Sequence, residues 1–186
     1  MTVVPQGKYT PANIAYTEAY LDYMQTKNAR TIKFMDESGV KVNTGQSKYG
    51  HSPCGQRCVE LGRYAAGGNH SVSLLIGYDG VKFCDVIWGP SDTNNYLRFF
   101  TEAAEAYDSN GQPVLEPGDT VVVDNAPIHR NEGQRLLTNW LQDLGIELVF
   151  LPTYSPEFNP TEQCFNKLKA MLNRITTDLY YMLACQ

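Results

Sequence analysis

Positive charge is in short supply in this 186-residue chain: fifteen Lys and Arg stand against twenty Asp and Glu, a formal net charge of −5. That balance excludes a surface that is basic all over, the usual footprint of a protein that grips a polyanion unaided. What remains is local: Lys167, Lys169 and Arg174 fall in one late helical pattern, and Arg130 and Arg135 lie close together. No apolar run approaches the ~20 residues needed to cross a bilayer, and the opening MTVVPQGKYT has no signal-peptide core, so an intracellular protein without a membrane partner is expected. Five cysteines are an odd number without framework spacing, which predicts free thiols in a reducing compartment. A zinc site from His51, Cys54, Cys58 and His70 is conceivable, but the Cys-x3-Cys spacing fits poorly and a Gly-rich loop with free or buried thiols is the better reading. Internal repeats and low-complexity tracts are absent.

What is present suffices for a packed domain. Apolar residues make up 42% of the chain and charged residues 19%, the balance of an ordinary globular protein. Residues 1–30 read as a lead-in segment with a Tyr-rich helix from Ala12 to Met24. IKFMDESGV reads as a strand with Ile32 and Phe34 on the face of Asp36, ending there and turning at Ser38-Gly39. Residues 43–70, rich in Gly, Ser, Asn and Pro, predict a long loop with one short strand near Cys58 to Leu61, and a loop of that length is usually functional. Strands follow at Ser71–Ile76 and Val81–Trp88, joined by Tyr78-Asp79-Gly80. A helix from about Asp92 to Tyr107 comes next, with Tyr96, Phe99, Phe100, Ala103 and Tyr107 on one side.

Thr120–Val123 is apolar throughout, the mark of a strand buried on both faces, and ends at Asp124. A helix over about 131–144 stops at Gly145, a fifth strand covers Glu147–Leu151, and a last helix begins at Asn159-Pro160. The order β-β-β-α-β-α-β-α predicts an α/β fold: a mixed five-stranded sheet flanked by helices. The domain is placed at residues 31–178, with 179–186 as a truncated tail.

Three acids occupy informative positions. Asp36 and Asp124 end strands, and ligands gather beyond the carboxyl ends of parallel strands. Glu162 sits in the first turn of the last helix, with apolar Phe165 and Leu172 on its side turning it toward the body of the domain. Clustered carboxylates without basic partners repel, and hard divalent cations such as Mg2+ or Mn2+ relieve that repulsion. Two such ions roughly 3.5–4 Å apart suit in-line displacement at a phosphodiester, with Asp36 bridging both. Duller roles stay open: Glu162 as the reciprocal glutamate of a helix cap, Asp36 and Asp124 as turn formers, and His129 as a structural residue. Asn125, His129 and Asn159 are candidates for substrate or supporting contacts, and Arg130, Lys167 and Lys169 for DNA contact. Glu37 points to the other face, toward solvent or a loop. A phosphatase with Asp36 as nucleophile fits badly, since Ser38 and not a second Asp stands two residues on.

The blocks IKFMDESGV, VVVDNAPIHR and LPTYSPEFNPTEQCFNKLK resemble, in order, the three signature blocks of the mariner-like superfamily of DDE transposases. Glu162 follows Asp124 by 38 positions, a family-like spacing, and Thr161 stands where Ile is commoner. The resemblance spans about residues 10–175. It implies a ribonuclease H-like fold, Asp36, Asp124 and Glu162 as the metal-binding triad, and two Mg2+ or Mn2+ ions with no small-molecule cofactor. DNA is the implied partner, cut at transposon ends and joined through its 3′-hydroxyl to a target, with a homodimer as the working form. The implied location is the nucleus of a eukaryotic host, otherwise the cytoplasm or nucleoid. Such transposases carry N-terminal helix-turn-helix domains, so the expectation is a catalytic fragment, a truncated copy or part of a split gene. A catalytically inactive DNA- or protein-binding module derived from a transposase is the alternative.

Overall fold

A computed structural model of the chain describes residues 5–41, 51–58, 69–124 and 132–184. Five strands, β1 (Ile32–Lys41), β2 (Asn69–Gly77), β3 (Gly80–Trp88), β4 (Thr120–Val123) and β5 (Glu147–Phe150), form one sheet in the order β3-β2-β1-β4-β5. The first three pair antiparallel, while β1–β4 and β4–β5 are parallel. Helices α1 (Pro11–Gln25), α2 (Thr93–Glu105), α3 (Glu132–Asp143) and α4 (Thr161–Ala184) pack around the sheet. The predicted order of elements is the observed one, with α1 ahead of it.

The alternation of side chains along β1 decides which helices cover which face. Met35, with Leu75, Val121 and Val123, packs against Tyr96, Phe99, Phe100 and Ala103 of α2 and Leu137 and Leu141 of α3. On the opposite face Ile32, Phe34 and Val122 meet Tyr20 of α1 and Leu151, and Val72, Leu74 and Ile76 meet Phe165 of α4. β4 is buried along its whole length because both faces are covered.

Local signals explain where elements stop. Asp92 caps α2 by accepting the Asn95 N–H at 2.8 Å. α3 ends in a Schellman motif: Gly145, at φ 73°, donates to Gln142 O at 2.9 Å, and Ile146 donates to Leu141 O at 2.8 Å.

Several expectations need correction. Asp36 does not end β1, and Ser38-Gly39 is no turn: β1 runs on to Lys41, with Ser38 opposite Val72 and Gly39 opposite Ser71. The ladder with β2 keeps this segment extended, and Gly39 needs no left-handed conformation there. α2 stops before Tyr107, which is 70% exposed and bridges to Pro113. Asp108 folds the chain back by accepting the Asn110 and Gln112 N–H groups at 2.8 and 3.0 Å. α4 runs on to Ala184, into the segment 179–186 set apart as a tail. Cys58 lies outside any strand, and residues 59–61 fall outside the described residues.

One buried ion pair escaped the sequence reading. Lys33 and Asp119 are each 5% exposed and bonded to one another, and Asp119 also accepts the Glu116 N–H at 2.7 Å. The pair ties β1 to the turn that feeds β4. Lys33→Ala strands Asp119 as an unpaired buried charge and is expected to cost about 3–5 kcal/mol in urea denaturation. The double change Lys33→Met with Asp119→Leu is expected to recover much of that loss.

Candidate active site at the carboxyl end of the buried strand

Parallel pairing brings the first two acids together. Phe34 lies opposite Val122 and Met35 opposite Val123, so one further step along both chains sets Asp36 beside Asp124. By strand alternation both belong to the face that α1 and α4 cover. Asp36 is half-buried in mid-strand, while Asp124 is exposed just past the end of β4.

The third acid arrives with α4. Phe165, 2% exposed, seats this helix against Val72, Leu74, Ile76 and Phe34. Glu162, three residues earlier, lies on the same side of the helix and stays exposed at its rim. The reciprocal capping role is not realised: the Asn159 N–H that such a glutamate would engage donates to Pro156 O at 2.9 Å.

Electrostatics reports the convergence. The Asp36 carboxyl is pushed up from 3.8 to about 6, chiefly by burial, and the charges of Asp124 and Glu162 push the same way. Hydrogen bonds from the Glu37 N–H and the Thr161 hydroxyl pull in the opposite direction. Among the described residues no three His, Cys, Asp or Glu side chains close around one point as a finished metal cage. The charges of Asp124 and Glu162 nonetheless reach Asp36, and among the described residues no Lys or Arg is bonded to it. Oxygen donors of this kind fit hard divalent cations.

The chain from Leu151 to Thr161 delivers Asn159 to the same place. Tyr154 adopts φ 58°, in the left-handed region that a bulky residue takes only under constraint. The constraint comes from the N-terminal segment. Asn13 of α1 donates to Thr153 O and accepts from Thr153 N, both at 3.1 Å, and Lys8 pairs with Glu157. Asn159, 7% exposed, then donates from Nδ2 to Oδ2 of Asp36 at 2.9 Å. Thr161, fully buried, brings its hydroxyl to 3.2 Å from the same oxygen.

Of the other candidate residues, Asn125, His129 and Arg130 lie outside the described residues. Lys169, partly buried, shares the side of α4 that carries Glu162, whereas the exposed Lys167 points away from it. Glu37 does face away from Asp36, accepting the hydroxyl of Ser73 on β2 at 2.9 Å and that of Ser91, in the loop before α2, at 2.7 Å. The zinc arrangement does not assemble among the described residues: His51, Cys54 and Cys58 are exposed, and His70 sits edge-on to Trp88 at 4.5 Å. Thr161 was noticed only as a substitution, and its spacing gave no hint that its hydroxyl would reach Asp36.

The fold has solved counterparts. The structure matches the Mos1 strand transfer complex with a TM-score of 0.71 at 18% identity, covering 92% of this chain and 51% of that one. It matches the Mos1 mariner paired end complex with Mn at 0.72 and 18% identity, covering all of this chain and 59% of that one. The catalytic domain of Mos1 mariner transposase matches at 0.58 and 14% identity, covering all of this chain and 85% of that one. The chain thus spans between half and three-fifths of the transposase chains in those complexes, and the likeness establishes a ribonuclease H-like fold. Comparison with the curated protein sequences gave no match. The family model described as DDE superfamily endonuclease matches residues 31–178, and the chain belongs to that family.

Proposed function

We propose that this chain carries the catalytic centre of a transposase, cutting DNA at transposon ends and joining the freed 3′-hydroxyl to target DNA. The observation that supports it most directly is the β1–β4 register that sets Asp36 beside Asp124, with the charges of Asp124 and Glu162 both acting on Asp36. Membership of a DDE endonuclease family and the likeness to Mos1 complexes, two of them described as containing Mn or Mg, support the same reading.

In this reading Asp36, Asp124 and Glu162 hold two divalent cations, Mg2+ or Mn2+. When bound, such cations supply the Lewis acidity that activates a water or 3′-hydroxyl and stabilises the departing oxygen. The residues of the chain do the rest. Asp36, anchored in mid-strand, offers a carboxylate whose place is set by hydrogen bonds on both oxygens. Asp124 and Glu162 are exposed, so a DNA backbone can reach them. Lys169, on the Glu162 side of α4, is suited to meet a phosphate. The helix N-terminus at Glu162 favours its ionised form by a few tenths to ~1 kcal/mol. Residues 31–178 form the catalytic unit, and a homodimer holding two transposon ends is the working form.

Glu162→Gln is expected to lower Mg2+-dependent nicking of a transposon-end duplex by ~100-fold or more, with circular dichroism and thermal unfolding unchanged. Full activity in that variant defeats the mechanism. A second expectation concerns the metal-free protein. Asp36 rises from 3.8 to about 6 on folding, so its neutral form contributes stability that is complete below about 3.8 and is lost as pH climbs through about 6. Asp36→Asn removes this dependence. In chelator, urea denaturation at about pH 5 and about pH 7.5 should show the variant gaining on the wild type by about 1 kcal/mol at the higher pH. Parallel pH profiles contradict the electrostatic account.

A further inference from the structure

We propose that Asn159 and Thr161 are positioning residues that join the strand acid Asp36 to the helix acid Glu162, with Thr161 acting as a hydroxyl donor that lets go of Asp36 when a cation binds. The inference rests on the reading of Asp36 and Glu162 as metal ligands given above.

The two acids belong to different elements, and Asn159 touches both. Its Nδ2 donates to Oδ2 of Asp36 at 2.9 Å. Its Oδ1 accepts the Thr161 N–H at 3.2 Å, and its backbone carbonyl accepts the N–H of Glu162 itself at 3.3 Å. One buried residue thus sets the first turn of α4 against the carboxylate of β1. Packing alone does not call for this. An apolar side chain fills buried space without needing partners, whereas a buried amide must find several.

Thr161 adds a different property. Its Oγ1 lies 3.2 Å from Oδ2 of Asp36 and 2.5 Å from Oδ1 of Asn159. A hydroxyl has one proton, so it serves one acceptor at a time and keeps a second in reach. Oδ2 of Asp36 has two donors around it, while Oδ1 has the Glu37 N–H at 2.7 Å. A carboxylate oxygen offers two lone pairs, so a cation approaching Oδ2 has to displace a donor. Asn159 has no alternative acceptor for that amide proton among the bonds described, but Thr161 does. By turning its proton to Asn159 it frees a lone pair of Asp36 and leaves no buried hydroxyl unpaired.

Calorimetric titration with Mn2+ tests this on the wild type and on Asp36→Asn, Asn159→Ala, Thr161→Val and Thr161→Ser, with thermal unfolding in chelator confirming that each is folded. Asn159→Ala and Thr161→Val are each expected to weaken Mn2+ binding by about 10-fold or more, and Thr161→Ser to restore it. The first removes the amide that aims Asp36, and the second removes the hydroxyl that holds that amide once its proton has turned to Asn159 Oδ1. If Thr161→Val does not fold, Thr161→Ala makes the same comparison. Wild-type affinity in Asn159→Ala or Thr161→Val, with binding lost in Asp36→Asn, overturns the role given to that residue and leaves the triad standing. Thr161→Ser binding as weakly as Thr161→Val assigns the effect to the methyl group and overturns the donor role. A wild type that takes up no Mn2+, or an Asp36→Asn variant that binds as the wild type does, overturns this inference together with the reading beneath it.

Discussion

The parallel pairing of β1 with β4 is the constraint on which the site depends. Because Met35 lies opposite Val123, the next residues on the two strands are both aspartates and both fall on one face. A slip of one residue would turn one of them toward the aromatic core of α2 and separate the pair. The register is held by burial on both faces. Met35 and Val123 are locked under α2 and α3, and Phe34 and Val122 under α1 and the end of β5. Lys33 and Asp119 fasten the other end of the same stretch. Packing energy spread over a dozen side chains is thus what brings two like charges together.

The third acid reaches the site by a different route. No strand ladder carries Glu162; its place follows from how α4 docks and how the preceding loop ends. Phe165 sets the depth of the helix against β2. The loop is gripped from outside, by Asn13 on Thr153 and Lys8 on Glu157, and from inside, by Asn159 on Asp36. The left-handed Tyr154 sits between these grips, and a side chain on Gly7 would collide with its ring. The N-terminal helix therefore acts on the geometry of the site without contributing a reacting group.

What could be read beforehand follows a physical division. Elements whose burial imposes a pattern were legible: the apolar run Val121–Val123 after Thr120, the aromatic side of α2, and the Gly145 stop of α3. Their positions depend on local periodicity and cap chemistry. The end of β1 was misplaced because Ser38-Gly39 has turn composition, and only the pairing with β2, more than thirty residues away in sequence, keeps it extended. Tyr107 was drawn into α2 by its spacing, although Asp108 had already begun a turn. Lys33 looked like an ordinary strand residue, since its partner lies 86 positions further on. Thr161 was hidden for the same reason: its acceptor sits on β1, 125 positions back. Asp124 and Glu162 stand at a strand end and a helix start, places that local pattern can mark, whereas Asp36 lies in mid-strand and the residues that orient it depend on contacts that tertiary packing alone creates.

The remaining question is why a fold tolerates this arrangement. Asp36 is held in a half-buried place where burial and two like charges all oppose its ionisation, and among the described residues no Lys or Arg is bonded to it. Elsewhere the described residues avoid such tension: the buried Lys33 has Asp119, and Lys82 has both Asp79 and Asp108. A buried acid satisfied by a lysine is stable but has no coordination left to offer. Leaving Asp36 with hydrogen-bond donors that carry no full charge keeps its position fixed and its charge uncompensated. On the reading proposed above, the free energy withheld from folding at this point becomes available to a doubly charged cation, which gains most where the acids repel most. The acidic net charge of the chain is consistent with that division of labour. Affinity for a polyanion does not have to come from a basic surface if cations held by the acids mediate part of it.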